Sequence, residues 1–141
     1  MYNPHMANPT DQELTDILRK CRRVAVVGLS PKPDRDSNKV ADYLIRNGYE
    51  VVGVRPGGGE VLGRPGYSTL DEVPGPLEIV DVFRSPDAVP ALVDELLPLR
   101  PRVLWLQLGV THAEAEARAR AAGIVVVSNR CIKLEHERLL A

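Results

Sequence analysis

Val24-Ala25-Val26-Val27-Gly28-Leu29-Ser30-Pro31-Lys32-Pro33-Asp34-Arg35-Asp36-Ser37-Asn38-Lys39 is the stretch whose reading decides the fold. Val24 to Val27 are small and apolar without polar alternation, the pattern of a strand covered on both faces in a parallel sheet. Gly28 permits a sharp turn and a close approach of backbone to ligand. Ser30, Ser37 and Asn38 are residue types that cap a following helix, whose first N–H groups attract anions. Arg35 and Lys39 add positive charge. A strand, a glycine turn and a basic helix start together point to a nucleotide phosphate site.

Outward from this stretch, apolar runs alternate with helical patterns. Thr10 and Glu13 predict a capping box for a helix through Cys21, with Leu14, Ile17, Leu18 and Cys21 on one face. A helix over 38–46 turns Val40, Leu44 and Ile45 inward and stops at Asn47-Gly48. Strands are expected at 50–54, 79–83, 103–108 and 124–127, with a short edge strand near 63–65. Arg55-Pro56-Gly57-Gly58-Gly59 reads as loop. Thr69 with Glu72 predicts one helical turn. Ser85-Pro86 leads into a helix over 88–97. Thr111 is expected to cap a helix over 112–122, and a last helix spans 132–139. This alternation predicts an α/β, Rossmann-like doubly wound parallel sheet in three layers, a single domain over 10–141 behind a flexible stretch at 1–9. The five main strands are expected in the order 2-1-3-4-5, with the ligand at their carboxyl ends beside the first strand.

Composition narrows the class. The chain has 141 residues and a formal net charge of −1, which argues against nucleic-acid binding through bulk charge. Cys21 and Cys131, its 2 cysteines, are too few for a disulfide framework and fit a reducing compartment. With no apolar run of about 20 residues and no signal-peptide pattern, the expectation is a soluble cytoplasmic protein without membrane contact.

The residues just past each strand gather on one rim: Gly28-Leu29-Ser30, Arg55-Pro56, Arg84-Ser85, Gln107-Leu108-Gly109 and Asn129-Arg130-Cys131. This rim carries no carboxylate pair and no histidine. His5, His112 and His136 fall at the N-terminus or on helices and are expected to be solvated. No metal-ligand spacing occurs. The dinucleotide fingerprint needs glycines at G-x-G-x-x-G and an acid about 20 residues on. Here Ser30 and Pro33 stand at the later glycine positions, and the second strand ends at Arg55. That turns the reading from NAD and leaves an NADP-dependent oxidoreductase as the alternative.

Gly28 to Pro33 with Arg35, Ser37 and Val40 resembles the small stand-alone CoA-binding domain proteins. So do Pro56, Gly63 and Tyr67, Asp81-Val82-Phe83-Arg84, Trp105-Leu106-Gln107-Leu108-Gly109 and Arg130-Cys131. These proteins are related to the N-terminal domain of succinyl-CoA synthetase alpha subunits, and the resemblance covers roughly residues 15 to 138. It implies a Rossmann-like fold that binds coenzyme A or an acyl-CoA. It sets the CoA phosphates against the backbone of Gly28, Leu29 and Ser30, with Ser37, Asn38 and Lys39 at the helix start and Arg35 nearby. Val54, Arg55 and Pro56 would flank the adenosine. Phe83, Arg84 and Ser85 with Gln107, Leu108 and Gly109 would line the pantetheine path, and Asn129 and Cys131 would stand near the thiol end. Backbone donors with Arg and Lys suit a pyrophosphate and a 3′-phosphate. Pro31, Lys32 and Pro33 replace a more open loop in the synthetases. The synthetases' second domain, with its phosphorylated histidine, has no counterpart in this sequence, so the expectation is a non-catalytic carrier, sensor or regulator.

Bland readings stand beside the sharp ones. Gly28 can also be simply a tight strand-to-helix turn, although the ligand reading is preferred. Arg35 and Lys39 can pair with Asp34, Asp36 or Asp42, and Arg84 can be an ordinary surface residue. Trp105 reads as core. Cys131 is either a small buried side chain or a thiol at a helix start able to form a mixed disulfide with CoA.

Overall fold

The computed structural model describes residues 8–141. Its centre is one six-stranded sheet in which every neighbouring pair is parallel. The strands are β1 (Arg23–Val27), β2 (Glu50–Val54), β3 (Gly66–Tyr67), β4 (Ile79–Val82), β5 (Val103–Leu106) and β6 (Val125–Val127). Their spatial order is β3-β2-β1-β4-β5-β6, the expected doubly wound order with β3 added at one edge. β1 and β4 lie side by side although the chain leaves β1 in the other direction, so the crossovers part above them.

The helices are α1 (Asp11–Lys20), α2 (Asp36–Arg46), α3 (Val89–Leu96), α4 (Ala113–Ala121) and α5 (Ile132–Leu139). The alternating side chains of the inner strands feed two cores. Ala25, Val27, Val80, Val82, Leu104 and Leu106 face α3 and α4 through Val89, Val93, Leu96, Ala115 and Ala119. Val24, Val26, Ile79, Val103 and Trp105 face α1, α2 and α5 through Leu14, Leu18, Val40, Leu44 and Ile132. Burial on both faces explains why these strands read as unbroken apolar runs.

Several boundaries differ from expectation for local reasons. The edge strand is at Gly66–Tyr67 rather than 63–65. There the Gly53 N–H reaches Pro65 O and the Arg55 N–H reaches Tyr67 O. Gly66 is required because a Cβ would stand 2.0 Å from Gly59 O. β5 ends at Leu106, and Gln107-Leu108 instead begins a turn closed by the Val110 N–H on Gln107 O. A 3-10 turn, Pro86–Ala88, precedes α3.

Thr111 does not cap α4. His112 does, its Nδ1 accepting from the Ala115 N–H at 3.2 Å. The Thr10–Glu13 capping box of α1 forms as expected. Of the stretch expected to be flexible, residues 1–7 lie outside the described residues. Asn8 is tied to the sheet edge: its side chain donates to Ser128 O at 2.9 Å and accepts from Ser128 N at 2.7 Å.

Candidate functional site

β1 runs straight into Gly28, whose φ of +86° is one that L side chains rarely adopt. A Cβ there would meet Phe83 O at 2.3 Å, so the turn after β1 and the end of β4 touch backbone to backbone. The glycine is therefore required by packing, before any ligand is considered. The Gly28 N–H is also spent, on Val54 O at 2.8 Å.

Ser37 and Asn38 do not cap α2 from outside. They sit in its first turn, buried, and hold the preceding loop. Ser37 Oγ accepts from the Ser30 N–H at 2.9 Å, and Asn38 Nδ2 donates to Ser30 O at 2.9 Å. Ser30 Oγ in turn accepts from the Lys32 N–H at 3.1 Å. Two of the three backbone N–H groups expected to meet phosphate, those of Gly28 and Ser30, are thus already paired. The cap position of α2 belongs to Arg35, and no side chain caps the helix. The anion-attracting N–H groups are those of the α2 first turn.

Several concavities surround this turn, one of about 400 Å³ on its outer side between Pro31, Pro33 and Leu62. A cavity of about 400 Å³ is lined by Gly28, Ser30, Lys32, Arg35, Asp36, Ser37 and Phe83. It shares Asp36 and Phe83 with a cleft of about 440 Å³ that lies between α2 and α5 above the end of β4. Lys39 and Val40 from α2 form one wall of the cleft, Cys131, Lys133 and Leu134 the other, and Phe83, Arg84, Gln107 and Val110 its base. On the opposite side of the sheet, Val54, Ser68, Thr69 and Leu70 line a smaller hollow of about 220 Å³ that Arg84 also borders. Arg84 therefore stands between the two spaces, more than a surface residue at a strand end. Neither Arg35 nor Lys39 is ion-paired among the described residues, and Asp42 is taken by Arg46.

Other expected site residues play different parts. Leu29 is buried and packs its side chain on Gly53, so only its backbone faces the turn. The Arg55 guanidinium folds over Gly59, and with Pro56 it stays outside these concavities. Asn129, at φ +58°, accepts the Gly109 N–H on its side-chain oxygen at 2.7 Å and so ties two rim loops together. Ser85 and Leu108 line the cleft. Gln107 is 5% exposed and accepts the Ile132 N–H at 3.1 Å, fixing the start of α5 to the end of β5. Trp105 is core, with its indole N–H on Arg130 O.

Two residues depart furthest from the sequence reading. His136 is buried rather than solvated: Tyr43 Oη lies 2.6 Å from its Nδ1, and its ring sits edge-on to Tyr43 and Tyr49. Burial, with the Arg22 charge nearby, pushes its pKa below the ordinary value. Asp81 lies in the middle of β4, wholly buried, with neither carboxyl oxygen hydrogen-bonded among the described residues. Burial raises its pKa well above the usual carboxylate value, favouring the neutral acid. The sequence signal for it was present, one acid inside Ile79-Val80-Asp81-Val82. Lys133, Leu134 and Val110 carried no comparable signal, because their place in the cleft depends on how α5 docks.

Comparison with known proteins bears on the same residues. The family description "CoA binding domain" matches residues 22–137. The Bacillus subtilis (strain 168) protein YneT is 39% identical over 131 residues, covering 93% of this chain and 97% of that protein. A structure of a protein from Pyrococcus horikoshii OT3 shares 37% identity at a TM-score of 0.89, covering 100% of this chain and 98% of that one. A Thermus thermophilus structure shares 40% identity at a TM-score of 0.90, covering 94% and 100%. A Ca. Korarchaeum cryptofilum acetyl-coenzyme A synthetase has the same fold over 79% of this chain and 27% of its own, at 21% identity and a TM-score of 0.65.

Proposed function

The chain belongs to the CoA-binding domain family, and from that premise we propose that it binds coenzyme A or an acyl-CoA without transforming it, as a carrier, sensor or regulator in the cytoplasm. The observation that carries this reading is the start of α2, uncapped by any side chain and opening on a basic cavity continuous with the apolar cleft. The pyrophosphate belongs at the first-turn N–H groups of α2, with Lys32, Arg35 and Lys39 supplying charge. The hollow beside Val54 and Thr69 suits the adenosine, with Arg84 beside it for the 3′-phosphate. The pantetheine arm, apolar with two amides, suits the cleft, where Phe83, Val110 and Leu134 are its walls and Gln107 its polar contact. Bound there, coenzyme A would present a thiol; the chain's residues position it and shield it.

Isothermal calorimetry on the full chain with CoA, acetyl-CoA, NAD and NADP tests this. CoA and acetyl-CoA are expected to bind and the dinucleotides not. Tight NADP binding with no CoA heat would overturn the reading in favour of an oxidoreductase. Lys39→Ala and Arg84→Ala are each expected to weaken CoA binding about tenfold, the worth of one charge-assisted hydrogen bond.

A further inference from the structure

The base of the cleft between α2 and α5 holds one nearly buried side chain, Gln107, whose hydrogen-bonding capacity the fold only half uses. The Gln107 carbonyl is used by the Ile132 N–H, and its amide nitrogen makes no hydrogen bond among the described residues although the residue is 5% exposed. Asp81 lies on the same face of the sheet as Phe83, one side-chain step deeper. Its strand neighbours are Val26 and Trp105, it is wholly enclosed and outside the cleft lining, and its carboxyl has no partner among the described residues. The unused Gln107 amide donor, by contrast, opens on the cleft it lines, where an acceptor can reach it. A free amide donor at the base of the cleft suits the amides of a ligand arm that enters from the α2 end.

Cys131 faces the same space. It occupies the N-cap position of α5, is half-buried, and lines the cleft beside Gln107 and Phe83. Its side chain caps nothing and is not in a disulfide. Cys21, the other thiol, is 2% exposed in the core under α1, where burial raises its pKa.

We propose that Cys131 is a thiol-exchange site at which the protein takes up coenzyme A covalently from CoA disulfide. This rests on the CoA-binding reading above and extends it from reversible binding to covalent capture. The Cys131 thiolate attacks one sulfur of CoA disulfide; the Cys131–CoA sulfur–sulfur bond forms as the CoA–CoA bond breaks. The Cys131 sulfur is oxidised, the departing CoA sulfur is reduced, and the departing thiolate takes up the proton that Cys131 released. No further oxidant enters. A second thiol reverses the step and discharges CoA, so the loaded fraction follows the thiol–disulfide balance around the protein.

The test uses the full chain and two measurements. Calorimetry with CoA in excess reductant reports reversible binding alone. Intact-mass and peptide-mass spectrometry after exposure to CoA disulfide reports capture, run beside glutathione disulfide. The expected result is one CoA adduct per chain on Cys131, none on Cys21, lost in Cys131→Ser and kept in Cys21→Ala. Adduct formation should be about tenfold faster or more with CoA disulfide than with glutathione disulfide, because a held reactant gains effective concentration. Equal rates with both disulfides would mean that Cys131 is merely an accessible thiol, and would overturn the inference. Reversible CoA binding without an adduct would overturn it too, while leaving the binding reading intact. No binding in reductant would overturn the binding reading itself.

Discussion

Gly28 and Asp81 show how differently single residues on neighbouring strands can be constrained. At Gly28 both the positive φ and the 2.3 Å approach of Phe83 O to a would-be Cβ act against any side chain. Gly28→Ala is therefore expected to lose at least about 1–2 kcal/mol from the left-handed backbone alone, measured by urea unfolding, and to lose CoA binding because Phe83 must shift. Asp81 is constrained by protonation. Its folded pKa stands above the ordinary 3.8, so between the two values the folded chain keeps a proton that the unfolded chain has released. Its contribution is full below the unfolded value and falls as pH rises towards the folded one. Asp81→Asn cannot titrate, so its stability relative to the parent should climb between about pH 4 and pH 7. Urea melts of both chains across that range check this, and a flat difference would contradict it. Asp81 was visible in the sequence as an acid in an apolar run; that no described residue pairs with it was not.

At the scale of elements, α2 and α4 begin in opposite ways. α4 is capped by His112 Nδ1, and α2 by no side chain at all. His112→Ala should cost about 1 kcal/mol, with His112→Asn restoring most of it, since Asn is a preferred cap; thermal melts distinguish the two. At α2 the serine that looked like a cap serves instead to hold the loop before the helix. Ser37→Ala would leave the Ser30 N–H without its acceptor, at a cost of about 1–3 kcal/mol if that group stays buried. The same change should weaken CoA binding, because the loop no longer sets Lys32 and Arg35 around the helix start. Residue types announced where α2 would begin to within a turn, but Ser, Asn and Asp cap, bridge and face solvent with nearly equal ease. Only the path of the loop decides among these.

Across the whole molecule, the α2–α5 pairing governs both the cleft and a pH response. His136 of α5 is packed against Tyr43 of α2 and Tyr49, with its pKa below the ordinary 6.5. Its contribution to stability is present above that value and is lost as pH falls through the lowered one. His136→Gln should blunt the loss of stability between about pH 7 and pH 5, as read by thermal melts. The ligand's phosphates would meet Lys32, Arg35, Lys39 and Arg84 at an exposed site. CoA affinity should accordingly fall several-fold between about 50 and 300 mM salt, while any apolar part of the binding in the cleft stays. The strand order was legible because parallel strands buried on both faces leave unbroken apolar runs, and right-handed crossovers permit few arrangements. The misplaced edge strand was not, because Gly66–Tyr67 is held by the backbone of β2 and by the space against Gly59, neither of which is local.

What the sequence by itself determined is the alternation of elements, the sheet order, the glycine turn after the first strand and, through spaced matches along the chain, the kinship with CoA-binding domains. These depend on periodicity, turn chemistry and residue identity, which are properties of neighbours in the chain. Tertiary structure alone decided that Gly28 and Ser30 have spent their N–H groups, that Arg55 turns away, and that Lys133, Leu134 and Cys131 share a cleft with Gln107. It also decided that Asp81 is buried with no partner among the described residues. Those facts depend on which strand end meets which helix start, and that is set only when the two cores close on either side of the sheet.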